Sequence, residues 1–188
     1  MSELLTMWKV KEAEFPHHGT VEEKLKFILN YAILAPSSHN TQPWLFKIDS
    51  EEIYLYADRN RGLSIADPEG RELVISCGTA LFNLRIALHH FGYTGKIITF
   101  PNPANSELLA CIKLGYRIKE STDNNLLFNA ISKRHTNRQN YQWWDAPQSL
   151  LRWLQSDAEL EGVWLHIVKN NNIRHQMAEL IVRAEHQL

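Results

Sequence analysis

Cysteine is scarce in this sequence: Cys77 and Cys111 are the only two, far apart and in apolar surroundings. That excludes a disulfide scaffold and a thiol-rich metal site, and predicts two buried, reduced thiols. Charge of one sign is missing too, since 20 Lys and Arg face 21 Asp and Glu. The balance gives no electrostatic reason to expect nucleic acid or an anionic membrane as partner. No stretch approaches the ~20 apolar residues of a membrane span, and Met1 to Val10 lacks a basic region followed by an apolar run. The expectation is a cytoplasmic protein with a small-molecule partner. What is present, 44% hydrophobic and 22% charged residues in 188, suffices for a sizeable globular core.

The most informative stretch is Ala35-Pro36-Ser37-Ser38-His39-Asn40-Thr41-Gln42-Pro43-Trp44. Its two prolines forbid a continuous helix, so some amide hydrogens are free for a guest. Two hydroxyls and two carboxamides crowd the same turn. A carboxamide offers donor and acceptor side by side, which suits the edge of a uracil-like heterocycle. The alternative is an ordinary helix-to-strand connection, because Ser, Asn and Pro also serve turns for conformational reasons alone.

Around this loop, Thr20 with Glu23 forms a capping-box pattern, and Val21, Leu25, Ile28, Leu29 and Ala32 recur at helical spacing up to Ala35. Trp44 to Ile48 and Ile53 to Ala57 predict a hairpin or two neighbouring strands. In the following loop, Arg59 and Arg61 beside Asn60 either meet a phosphate or are simply solvated. Asp67-Pro68 opens the longest helical pattern, with Leu73, Cys77, Ala80, Leu81, Leu84, Leu88 and Phe91 as its apolar stripe and Gly92 as its cap. His89 and His90 are adjacent on it and point about 100° apart, which favours a structural or surface role over a shared metal; His17 and His18 have the same weakness. Runs at Gly95 to Phe100 and Leu108 to Tyr116 predict two more strands, flanking a Pro101 to Ser106 turn.

Near Ser121 the chain is expected to change lobe, giving residues 1–120 and 121–188 as domains. A helix over Asp123 to Ser132 leads into Lys133-Arg134-His135-Thr136-Asn137-Arg138. Two guanidiniums, an imidazole and a hydroxyl this close can converge on a phosphate, since arginine offers a planar fork matching its oxygens. A generic basic run is instead a solvated surface. Beyond it, the pattern predicts a helix from Ala146 to Gln155, a strand from Val163 to Val168 and a helix from Asn171 to Leu188. The stripe Leu150, Leu151 and Leu154, with Trp143, Trp144 and Trp153 nearby, predicts a homodimer or higher oligomer.

The loop resembles the first flavin loop of the nitroreductase family, FMN-dependent α+β enzymes, and Arg134-His135-Thr136-Asn137-Arg138 resembles that family's phosphate motif. The resemblance implies a mostly antiparallel sheet packed by helices, with one full lobe and the start of a second. It places Ser37, Ser38, Asn40 and Gln42 around the flavin ring and ribityl chain, and Arg134, His135, Thr136 and Arg138 on the FMN phosphate. It further implies reduction of a nitroaromatic or quinone-like acceptor by NADH or NADPH, with a flavin-sequestering protein without turnover as the alternative. The motif order departs from that of ordinary members, in which the phosphate motif comes first; here Phe15-Pro16-His17-His18-Gly19 stands near the start. The arrangement resembles the two-lobed, dormancy-associated Acg-like branch, in which one chain supplies both halves. The resemblance covers about half of such a protein, which reads as C-terminal truncation or as completion of the site by a second copy. Residues it would place near flavin N5 lie outside the sequence, so it names no catalytic residue.

Overall fold

The computed structural model describes residues 10–119, 122–140 and 144–185. Met1 to Lys9, Ser121, Trp143 and the expected last helical turn, His186 to Leu188, lie outside the described residues. The chain forms two compact units, Met1–Thr136 and Asn137–Leu188.

In the first unit, α1 (Val21–Ala32) begins where expected, with Thr20 Oγ1 accepting from the Glu23 amide and Glu23 returning a carboxylate to the Thr20 amide. Such a cap contributes about 1 kcal/mol. The helix stops at Ala32 rather than Ala35, because Pro36 disfavours helical geometry at the residue before it. Strands β1 (Trp44–Asp49) and β2 (Glu52–Ala57) form the hairpin, and β3 (Tyr93–Thr99) and β4 (Leu108–Arg117) complete an antiparallel sheet of order β1-β2-β4-β3. Ile53 opposite Ile112 and Leu55 opposite Ala110 supply its buried face.

Helix α2 (Arg71–His90) packs against that face and against α1. It starts later than Asp67-Pro68 suggests. Gly70 takes a left-handed φ of 69°, which turns the chain before the first helical residue and leaves Pro68 outside the helix. Asp67 still caps it, its Oδ2 accepting from the Leu73 amide at 2.9 Å. At the other end Gly92, with φ of 81°, closes α2 as expected.

The first unit extends to Thr136, past the expected change of lobe near residue 121. The reason is α3 (Thr122–Ile131), whose Phe128 and Ile131 are buried in the core. Phe128 stacks on the buried His90 ring at 3.6 Å, and the two nitrogens of His90 lie 2.8 Å from Asn125 Oδ1 and 2.7 Å from Glu12 Oε1. His90 is therefore structural, as its position beside His89 suggests.

The second unit holds α4 (Gln148–Leu160) and α5 (Asn171–Glu185). The strand expected over Val163 to Val168 does not form; the segment is irregular. A strand needs a ladder partner, and no other described segment of this unit is a strand. α4 instead continues past Gln155 to Leu160, and Gly162, at φ of 77°, follows its end.

Candidate functional site

The loop between α1 and β1 is held in a conformation that its sequence alone does not favour. His39, Asn40 and Gln42 have positive φ of 50°, 57° and 49°. Left-handed backbone at non-glycine residues costs free energy and persists only where its surroundings over-determine it. Here the surroundings do so from several sides. The Gln42 amide donates to Ser37 Oγ at 2.9 Å, the Asn40 amide to the Ser37 carbonyl at 3.0 Å, and Thr41 Oγ1 to the Ser38 carbonyl at 3.0 Å.

Helix α2 supplies a second set of tethers. Ser76 Oγ accepts from the Ser38 amide at 3.2 Å, Thr79 Oγ1 donates to the Pro36 carbonyl at 2.7 Å, and the Cys77 thiol donates to the Pro43 carbonyl at 3.3 Å. Burial pushes the Cys77 thiol up to about 11 against a lesser opposing effect of Arg59, so it is a neutral packing group. The third tether is Arg61, whose Nη1 donates to the carbonyls of Thr41 at 3.2 Å and Gln42 at 3.4 Å. Asp58 Oδ2, 3.3 Å from Arg61 Nε, holds the guanidinium there.

With the backbone satisfied in this way, the carboxamides of Asn40 and Gln42 form no hydrogen bond among the described residues, and Asn40 is exposed. Ser37 is different: its oxygen already accepts the Gln42 amide, which leaves its proton to donate. Of the two arginines singled out in the next loop, Arg59 is engaged elsewhere, its Nε 3.1 Å from both carboxylate oxygens of Glu107. Arg61 serves the loop backbone.

The basic segment follows directly on α3. Arg134 continues the helical pattern through its amide, which donates to the Ala130 carbonyl at 2.8 Å, and its Nη1 lies 3.5 Å from Thr136 Oγ1. Its Nε is buried without a hydrogen-bond partner among the described residues. A buried guanidinium nitrogen left unsatisfied is costly, and a phosphate or carboxylate oxygen is an acceptor that fits its geometry. Arg134 and Thr136 are thus brought together; neither hydrogen-bonds to the Ser37-to-Gln42 loop among the described residues. His135 is exposed. Arg138 is exposed and belongs to the second unit.

Ser76, Thr79 and Arg61 are the residues that sequence reasoning missed or assigned otherwise. A signal for the first two was present: polar residues three apart beside the apolar stripe of α2. Nothing in the sequence indicates that Arg61 reaches back to Thr41 and Gln42. A cleft of about 720 Å³ involves none of the candidate residues; it is lined by Glu12, His17, His90, Gly92 and Arg117, among others. Among the described residues no group of three or more His, Cys, Asp or Glu is placed to hold a metal, and no helix is long and apolar enough to cross a membrane.

Comparison with known proteins gives a consistent set of relatives. A putative NAD(P)H nitroreductase of Mycobacterium tuberculosis, Rv3131, is 34% identical over 151 residues, covering 80% of this chain and 44% of its own length. The putative NAD(P)H nitroreductase acg of the same organism is 33% identical over 140 residues, covering 73% of this chain and 42% of its own. The probable NAD(P)H nitroreductase PigM of a Serratia species is 39% identical over 80 residues, 40% of this chain and 22% of its own. Among solved structures, a nitroreductase family protein of Streptococcus pneumoniae aligns with a TM-score of 0.43 at 17% identity, over 63% of this chain and 92% of that one. No protein-family model matches the sequence. The chain spans less than half the length of its mycobacterial relatives. With 33–34% identity to these mycobacterial proteins over 73–80% of its length, the chain belongs to the nitroreductase family, with Acg and related mycobacterial proteins among its homologues.

Proposed function

We propose that this chain binds FMN and takes part in NAD(P)H-driven reduction of a nitroaromatic or quinone-like acceptor. The observation that carries the reading is the buried, unpartnered Nε of Arg134 within the segment that resembles a phosphate motif. The unbonded carboxamides of Asn40 and Gln42 agree with it, since each offers the donor and acceptor that a flavin edge requires. In this reading Ser37, Ser38, Asn40 and Gln42 meet the ring and ribityl chain, while Arg134, His135, Thr136 and Arg138 meet the phosphate. FMN would supply the hydride chemistry, so no acid–base dyad need stand in the protein. The protein's part is to bind, orient and shield the ring, and its quaternary form in this reading is a homodimer or higher oligomer.

Flavin titration tests the assignment. Wild type should prefer FMN strongly over riboflavin, which lacks the phosphate. A charge-assisted hydrogen bond contributes about 1.5–3 kcal/mol, so Arg134→Ala or Arg138→Ala should weaken FMN about 10- to 150-fold and bring it level with riboflavin. If both variants hold FMN as tightly as wild type, the phosphate assignment fails. If wild type binds neither flavin at high micromolar concentration, the cofactor reading fails. Anaerobic NADPH then separates turnover from storage: bleaching of the flavin absorption supports a reductase, and persistent colour supports a flavin-holding protein.

A further inference from the structure

We propose that Arg61, held by Asp58, is a positioning residue that sets the flavin-edge loop before the flavin arrives. The inference deepens the proposed function and rests on its assignment of Asn40 and Gln42 to the ring edge. Arg61 lies nineteen and twenty residues beyond the two loop carbonyls it binds, on a different turn of the chain. Those carbonyls belong to Thr41 and Gln42, the end of the stretch in which three of four residues have positive φ. One guanidinium arm therefore holds two successive peptide groups at 3.2 and 3.4 Å.

The bridge has a consequence for Gln42. Its amide is fixed by Ser37 Oγ and its carbonyl by Arg61, so both peptide groups flanking its Cα are pinned while its carboxamide stays unbonded. The side chain then leaves the backbone in a set direction, and little ordering entropy remains to be lost on binding. Asp58 has the complementary duty. Its Oδ1 accepts from the Asn60 amide at 3.1 Å, which shapes its own turn, while Oδ2 orients Arg61. Its amide also donates to the Pro43 carbonyl at 2.8 Å, so the anchor of the bridge is itself tied to the end of the loop. Arg59, two residues away, points to Glu107 and makes no hydrogen bond to the loop, which makes it the natural control.

The proposal separates bracing from phosphate contact, the other role open to a loop arginine. A brace acts on ring affinity, so Arg61→Ala should weaken FMN and riboflavin by the same factor, about five- to thirtyfold, and leave the preference between them unchanged. Asp58→Asn should weaken both less, and Arg59→Ala should leave both at wild-type affinity. In the flavin-free protein, amide hydrogen exchange at Gln42 should accelerate in Arg61→Ala but not in Arg59→Ala, at matched melting temperature. Unchanged flavin affinity in Arg61→Ala overturns the proposal, and so does a loss confined to FMN, which would make Arg61 a phosphate ligand. Should wild type bind no flavin, the cofactor reading fails on its own account. The brace then stands or falls on the exchange measurement, where an unchanged Gln42 rate sinks it.

Discussion

Single residues in this chain are tuned mainly by burial and by one neighbour each. Burial first, and the Glu12 carboxylate second, push the Tyr31 phenol up to about 12, against an ordinary value of 10.0. Tyr54 reaches about 12 as well, through its 2.5 Å hydrogen bond to Glu52 Oε2 before any other cause. Above its ordinary value an unfolded tyrosine releases its proton while these two keep theirs in the fold. The folded state then binds more protons, so stability must fall as pH rises from about 10 to about 12. Urea midpoints measured across that range should decline, with tyrosinate absorbance appearing alongside unfolding. Tyr31→Phe should flatten the decline, and an equally steep decline in that variant would refute the assignment. At this scale the sequence was partly legible. Capping by Thr20 and burial of Cys77 follow from local pattern, whereas Arg61 and the Ser76 and Thr79 tethers depend on contacts across dozens of residues.

Among the elements, α2 carries the loop, and its two faces differ. The inner face holds Cys77, Ala80, Leu84 and Leu88, each fully buried, while Ile75 and Phe82 stand exposed on the outer one with Gly78 between them. A Cβ added at Gly78 would meet nothing within 4 Å. Glycine inside a helix is about 0.5–1 kcal/mol less favourable than alanine, so Gly78→Ala should stabilise the protein by about that amount. Gly95 is the contrast: its added Cβ would lie 3.0 Å from Leu88 Cδ1 and 3.4 Å from Ile112 Cγ2, so Gly95→Ala should destabilise. Thermal melts of the two variants check both signs. A loss of stability at Gly78 would mean that another surface covers this face of α2. Helices and the hairpin were readable because their hydrophobic periods are strong and their ends carry caps or prolines. The expected strand over Val163 to Val168 was not, since a run of β-branched and apolar residues cannot reveal whether a partner strand exists.

At the scale of the whole molecule, the two units are unequal. The first has a core built from α1, α2, α3 and the sheet. The second has no buried residue among those described from 144 to 184. Its helices are nonetheless amphipathic: α4 exposes Leu150, Trp153 and Leu154, and α5 exposes Ile173, Met177 and Leu180 at spacings of four and three. Helices of this length are marginal in water without a packed face, so α4 and α5 require a covering surface to persist. The expectation is that another copy supplies that surface. A stable interface buries about 1,200–2,000 Å² in total, within reach of two such helices from each of two chains. Light scattering should therefore report a dimer or larger species, and Leu154→Glu combined with Leu180→Glu should shift it to smaller ones. The double variant should also lose helical circular dichroism from the second unit while the melting transition of the first stays in place. A monodisperse wild-type monomer at high concentration, with full helicity, would show that α4 and α5 stand without a partner copy and would remove self-association as the reason for their apolar stripes.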